Sequence, residues 1–388
     1  MRFGRSVLIP GLLLVSAAAG AADKPRARAL GVPFDGTPGP LDAITDVAGV
    51  TVGHVTLIEG EGKLVVGQGP VRTGVTAILP RGRASLDDPV FAGWFALNGA
   101  GEMTGTTWLE ESGFLEGPVM ITNTHSVGVV RDAIIAYQVE HGGLAEPGNL
   151  WSLPVVAETF DGWLNDINGF HVKKAHVYVA WDGASSGPVA EGNVGGGTGM
   201  ECNGFKGGIG TASRRLAEKD GGYTVGALVQ CNYGRRVDLR VAGVPVGREL
   251  PGRSVREDDS GSIIVVVATD APLVAHQLKR IARHVTLGLG RDGSIAGNGS
   301  GDIFIAFSTA NPGAAKPTGV ATLTMLPNDR LNPIFEATVQ SVEEAVINAM
   351  VAAETMKGAN GVVVPALPHD ELRRILKKYG RLVENPAP

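Results

Sequence analysis

A serine that follows a run of small residues, at the point where a strand begins, is well placed to attack its own backbone. Gly290-Arg291-Asp292-Gly293-Ser294-Ile295-Ala296-Gly297-Asn298-Gly299 is such a run, and Ser300-Gly301-Asp302 then opens the apolar stretch Ile303-Phe304-Ile305-Ala306-Phe307. A hydroxyl beside an unhindered Gly peptide bond can add to the preceding carbonyl, shift the acyl group to oxygen and be released by hydrolysis. Cleavage after Gly299 would make Ser300 a new N-terminus. Its α-amino group, with an ordinary pKa of about 7.7–8.0, can then act as general base for its own hydroxyl. This chemistry needs no histidine. Read from spacing alone, the same residues also describe a plain Gly-Ser loop entering a strand.

Other motifs match less well. Gly183-Ala184-Ser185-Ser186-Gly187 has the G-x-S-x-G spacing, but Pro188 and Gly-rich sequence follow where a nucleophile elbow requires a helix. Gly195-Gly196-Gly197-Thr198-Gly199-Met200 lacks the spacing of a dinucleotide loop, and Phe205 stands where a Walker motif needs Lys. Those glycines either aim backbone N–H groups at a substrate oxyanion or simply pack closely. The eight histidines are scattered, with neither HExxH nor CxxC, so no metal or other cofactor is expected. Cys202 and Cys231 allow one disulfide or two buried thiols.

The elements that must position Ser300 follow from hydrophobic patterning. Strands are expected at Val50–Ile58, Gly74–Pro80, Pro118–Asn123, Ala175–Asp182, Tyr223–Tyr233, Ser262–Asp270 and Asp302–Ala310. Helices are expected over 126–140, 271–287 (with Gly288 after its end), 333–357 and about 370–379. Strands cluster instead of alternating strictly with helices, which favours an α+β layered sandwich over a doubly wound sheet. Gly234 to Gly261 reads as a surface excursion. The chain of 388 residues is 44% hydrophobic, with 56 glycines, about twice the usual share of roughly 7%. Its net charge of −5, with no basic run, argues against nucleic acid as a partner. Residues 1–21 read as a secretory signal: Arg2 and Arg5, an apolar stretch from Val7 to Val15, and Ala19-Gly20-Ala21 as the cleavage site. The expected mature protein is therefore periplasmic, free of the membrane, and a single catalytic domain over 22–388.

Several ordered blocks carry a family resemblance: Ile44-Thr45-Asp46-Val47-Ala48-Gly49-Val50, Asn123-Thr124-His125-Ser126-Val127-Gly128, Pro154-Val155-Val156-Ala157-Glu158-Thr159, Gly192 to Met200, Phe205 to Gly210, Val229-Gln230-Cys231-Asn232 and Gly299-Ser300-Gly301-Asp302. Over nearly the whole mature length the chain resembles the β-aminopeptidases and L-aminopeptidase/D-Ala-esterase/amidases. The resemblance implies an α/β/β/α sandwich, self-cleavage into an α chain (22–299) and a β chain (300–388), and a homotetramer of the processed heterodimers. It implies Ser300 as nucleophile, Asn232 as oxyanion donor and Glu158 as the partner of the substrate's free ammonium. Ser341 and Glu343 match a supporting Ser-x-Glu pair. Residues two apart on a continuous helix point to nearly opposite faces, so both serve the site only if a helix starts near Ser341.

One departure sets the expected specificity. The position two after Glu158 is Tyr in the L-amino-acid type, whereas this chain has Phe160, which cannot donate a hydrogen bond. The expectation is therefore release of N-terminal β-amino acids from small peptides, amides and esters. The alternatives are an L-aminopeptidase/D-alanine esterase-amidase, a self-cleaving ornithine acetyltransferase and, more remotely, a periplasmic binding protein whose chain stays uncut.

Overall fold

The computed structural model describes residues 24–142, 148–250, 252, 254 and 261–384, so the expected signal segment 1–21 lies outside the described residues. The first half of the chain forms β1 (Thr51–Glu59), β2 (Val71–Arg83), β3 (Val90–Gly99), α1 (Thr106–Ser112), β4 (Phe114–Leu115), β5 (Val119–Asn123), α2 (Val127–His141), β6 (Val155–Thr159) and α3 (Lys174–Asp182). The second half forms β7 (Glu201–Cys202), β8 (Phe205–Lys206), β9 (Gly208–Arg215), β10 (Thr224–Asn232), α4 (Val246–Glu249), β11 (Ser262–Thr269), α5 (Ala275–Arg291) and β12 (Gly301–Ser308). It ends with α6 (Asn332–Val351), β13 (Met356–Lys357), β14 (Val363–Val364) and α7 (His369–Lys378).

Two sheets stack face to face, one ordered β1-β2-β5-β6 and the other β4-β3-β12-β11-β10-β9. Three apolar layers hold the sandwich together. Val177, Ala180 and Trp181 of α3 and Val130 and Ile134 of α2 cover the smaller sheet. Ile121 and Ala157 meet Leu228, Ile264, Ile303 and Ile305 between the sheets. Leu278 and Val285 of α5 and Val342 and Val346 of α6 cover Val229, Val265 and Phe304 on the outer face of the larger sheet. These layers give the expected α/β/β/α order. Strands β11 and β12 are buried on both faces, which is why they read as nearly continuous apolar runs.

Four expectations change. Ala175–Asp182 belongs to a helix, not a strand, because a short apolar run cannot be assigned by periodicity alone. Its buried residues Val177, Ala180 and Trp181 have helical spacing, and His176 Nδ1 accepts the Lys173 N–H at 3.0 Å at the start of the first turn. Gly288 does not follow the end of α5 but lies inside it. A Cβ at that position would fall 2.8 Å from the Val342 side chain, so glycine lets α5 and α6 cross closely. The helix expected to reach 357 stops at Val351. The excursion after β10 is also not purely a surface feature, since Leu239, Val241 and Val246 are fully buried in the outer core. No helix among the described residues is long and apolar enough to cross a membrane.

Candidate active site

Ser300 directly precedes β12, the parallel partner of β11 and the antiparallel partner of β3. The loop leading to it is tied down on both sides. Asn98 Nδ2, near the end of β3, donates to the carbonyls of Ala296 at 2.8 Å and Gly297 at 2.7 Å. The Ser300 N–H reaches Gly297 O at 2.9 Å, and the Gly301 N–H reaches Gly261 O at 2.9 Å. Gly301 has to be glycine, because a Cβ there would lie 2.5 Å from Ala100 O. Ser300 is only 1% exposed, and its Oγ donates to Asp302 Oδ1 at 2.7 Å. Residues two apart on a strand share a face. That pairing was readable as Ser-x-Asp in the sequence, yet Asp302 was not among the expected catalytic residues.

The cavity beside this junction holds about 460 Å³ and lies at one end of both sheets. Glu158 and Phe160 at the end of β6, Thr124 after β5, Ser262 at the start of β11, the turn after β3 and Gly299 all line it. Glu158 is 3% exposed. One of its oxygens accepts the Thr124 hydroxyl and the other the Glu102 N–H at 2.9 Å. Burial pushes its carboxyl pKa up, against the pull of those two hydrogen bonds. Phe160 is 40% exposed and packs edge-on to Trp163, giving the cavity an aromatic wall.

Asn232 ends β10 opposite Ser262, which in turn pairs with Gly301. Its Oδ1 accepts the Glu201 N–H at 2.8 Å, and its Nδ2 donates to Phe160 O at 2.9 Å, so the amide nitrogen is turned toward a residue of the cavity wall. Strands two apart in a sheet are roughly 10 Å from each other. The pleat separates the groups further. Asp302 alternates with Ile303 and so shares a face with Phe304 and Ala306, toward the helices, and the Ser300 hydroxyl joins it there. Asn232 shares the face of Leu228, toward the other sheet. Glu158, Phe160 and Gly299 thus line one cavity, with Asn232 bonded to its wall, while the Ser300 hydroxyl is turned onto Asp302.

Ser341 and Glu343 are not brought to this site. Both lie inside the continuous helix α6, where a two-residue spacing sends them apart. Ser341 Oγ donates to Val225 O at 3.4 Å. Val225 and Asn232 are seven residues apart on β10, about 23 Å along a strand. Glu343 pairs with Arg291 at 2.8 Å and lines a different cavity. The Gly-rich loop settles in favour of packing: Gly195 N–H donates to Thr56 Oγ1 at 2.9 Å, Gly196 N–H to Thr76 Oγ1 at 3.1 Å and Gly197 N–H to Val194 O at 2.9 Å. Its carbonyls face the buried Lys206, whose Nζ donates to Met200 O at 2.7 Å and whose pKa burial pushes down to about 7. Ser185 bridges to Val52 beside β1 and forms no elbow. Cys202 and Cys231 form a disulfide. Among the described residues no group of three acidic, His or Cys side chains could hold a metal ion.

Comparison with known proteins places this arrangement. Residues 42–364 match the model of Peptidase family S58. The β-peptidyl aminopeptidase BapA of Sphingosinicella microcystinivorans is 59% identical over 392 residues, covering 97% of each chain. The structure of L-aminopeptidase D-Ala-esterase/amidase from Ochrobactrum anthropi, a prototype for the serine aminopeptidases with a variant of the Ntn hydrolase fold, superposes with a TM-score of 0.86 at 50% identity, over 93% of this chain and 100% of that one. A Burkholderia sp. β-aminopeptidase superposes with a TM-score of 0.85 at 49% identity, over 92% and 99%. A catalytic family of this kind leaves no place for the binding-protein reading, and the chain belongs to peptidase family S58 as an aminopeptidase.

Proposed function

We propose that this aminopeptidase activates itself by cleavage after Gly299 and then uses Ser300 to release N-terminal β-amino acids from small peptides, amides and esters. In the uncut chain Ser300 has no α-amine, so the proton of its hydroxyl passes to the Asp302 carboxylate. Oγ adds to the Gly299 carbonyl carbon, the C–N bond breaks, and the proton is returned to the departing Ser300 nitrogen. Water then hydrolyses the ester. The new N-terminal residue is tethered on one side only and can turn from Asp302 toward the cavity. There its amine takes the hydroxyl proton as Oγ attacks substrate. Glu158 holds the substrate ammonium through a charge-assisted bond that only a free amine can make, and Asn232 donates to the oxyanion together with a backbone N–H.

The observation that carries this reading is the buried Ser300 hydroxyl bonded to a carboxylate, directly after a glycine that lines the Glu158 cavity. Phe160 favours β-amino acids over the L-amino-acid/D-alanine reading, since its ring adds apolar wall and no donor. Comparing β-alanyl-para-nitroanilide with L-alanyl-para-nitroanilide separates the two. Intact mass tests the mechanism: two chains, the smaller beginning at Ser300, are expected for the wild type, and one uncut chain for Ser300→Ala. A wild type that stays in one piece yet hydrolyses substrate would refute the scheme.

Export to the periplasm through residues 1–21 is part of the same proposal, and the Cys202–Cys231 disulfide suits an oxidising compartment. So is assembly into a tetramer of processed heterodimers. Its support is the stretch between β12 and α6, which lies outside every sheet and exposes Val320 (98%), Leu323 (42%) and Met325 (49%).

A further inference from the structure

Residues 201–203 cross the end of β10 and are fastened there at three successive positions. The Glu201 N–H donates to Asn232 Oδ1 at 2.8 Å. Cys202 is bonded covalently to Cys231. The Asn203 N–H donates to Tyr233 O at 2.7 Å. Both cysteines face the helix side of the larger sheet and are fully buried, whereas the Asn232 amide projects from the opposite face of the same strand end. The crosslink therefore joins the residue directly before Asn232 to the residue directly after Glu201.

This matters because a primary amide has two unlike ends. Its oxygen only accepts and its nitrogen only donates. The Glu201 N–H can face the oxygen but not the nitrogen, so it fixes which end of Asn232 is turned toward Phe160 and the cavity. Were segment 201–203 to slide away from β10, the amide would lose the partner that holds its nitrogen forward. Nothing in the catalytic chemistry requires a disulfide.

We propose that the Cys202–Cys231 disulfide is a positioning device for the oxyanion donor: it keeps the Glu201 N–H against Asn232 Oδ1 and thereby holds Asn232 Nδ2 toward the reacting carbonyl. The inference rests on the proposed oxyanion role of Asn232. It concerns kcat more than KM, because the amide acts on charge that develops in the transition state.

The test is a double-mutant cycle on the full processed enzyme with β-alanyl-para-nitroanilide. Cys202→Ala, Cys231→Ala and the double variant are each made in the wild-type and Asn232→Ala backgrounds. In the wild-type background we expect kcat to fall on the order of tenfold, with KM within about twofold. That loss should be smaller than the 10²–10³-fold expected from removing the donor itself. In the Asn232→Ala background the cysteine substitutions should add nothing, because two changes acting through one group are not additive. A purely structural crosslink would cost the same in both backgrounds, and that outcome overturns the proposal. So does an unchanged kcat in a cysteine variant whose crosslink is gone by intact mass. If Asn232→Ala alone leaves kcat intact, the oxyanion assignment fails first and the inference falls with it. Should the cysteine variants not accumulate, the wild type reduced by a phosphine below its melting temperature, with the thiols trapped by alkylation, gives the same comparison.

Discussion

Two cavities of similar size, about 460 and about 500 Å³, each contain a glutamate, and their charges are treated in opposite ways. In the first, Glu158 accepts bonds from neutral donors, the Thr124 hydroxyl and the Glu102 N–H, and no cationic side chain among the described residues forms a salt bridge with it. Burial then raises its pKa, because a desolvated negative charge lacks a counterion. In the second, Glu343 already meets Arg291 at 2.8 Å, and Asp35 lies 3.7 Å from the same guanidinium. Volume does not separate these cavities. The unmet charge does: an ammonium group would complete the first cavity, while the second is neutralised from within.

The sharpest way to break this contrast is Ser300→Ala. It should abolish hydrolysis and leave one folded chain, read by intact mass beside a melting curve. Residual turnover at wild-type rate would remove the first cavity from the chemistry. Next in size, Asn232→Ala should lower kcat by about 10²–10³-fold, checked by steady-state kinetics on chains that have already been cut.

Glu158→Gln keeps the shape and removes the charge. It should raise KM on the order of tenfold to a hundredfold, in line with the roughly 1.5–3 kcal/mol of a hydrogen bond to a charged group. Self-cleavage should proceed normally, because processing presents no free amine to that site. An uncut Glu158→Gln chain would count against the assignment. The pH profile sharpens the same point. A carboxyl whose pKa is raised by burial is protonated at a higher pH than an ordinary glutamate. kcat/KM should therefore fall on the acid side, through a pKa above the usual value of about 4.3, and Glu158→Gln should lose that limb.

The smallest effect belongs to the second cavity. Glu343→Gln should leave kcat/KM within about twofold and cost about 1 kcal/mol of stability, since the Arg291 end of its ion pair is exposed to solvent. A large loss of processing in this variant would restore the Ser-x-Glu pair to the mechanism.

How much was legible in advance differs from element to element. The strand after Ser300 could be read from its nearly continuous apolar run, but spacing left the junction open to a plain Gly-Ser loop, and only the family blocks singled out Ser300. Glu158 could not be told from a solvated strand end, since its burial depends on the opposing turn after β3 and on Thr124, both remote in sequence. Ala175–Asp182 misled because eight residues hold too few periods to separate 2.0 from 3.6. Ser341 and Glu343 misled because a two-residue motif says nothing of whether its helix starts there or, as in α6, has already run nine residues. The close packing of Gly195 to Gly197 against Thr56 and Thr76 is set by tertiary approach, which composition does not encode.

Strand β12 lies inside its sheet, hydrogen-bonded to β11 on one side and to β3 on the other. A cut after Gly299 would hand that strand, together with the buried helix α6, to a separate polypeptide. The boundary between the two products would then be a hydrophobic core severed once, fastened as well by ion pairs such as Arg28–Glu344, Arg214–Glu344 and Arg291–Glu343. Such partners should stay together at any dilution and melt as one unit. Once unfolded apart, neither fragment would carry the instructions to rebuild the enzyme, because the order of assembly was written only in the uncut chain.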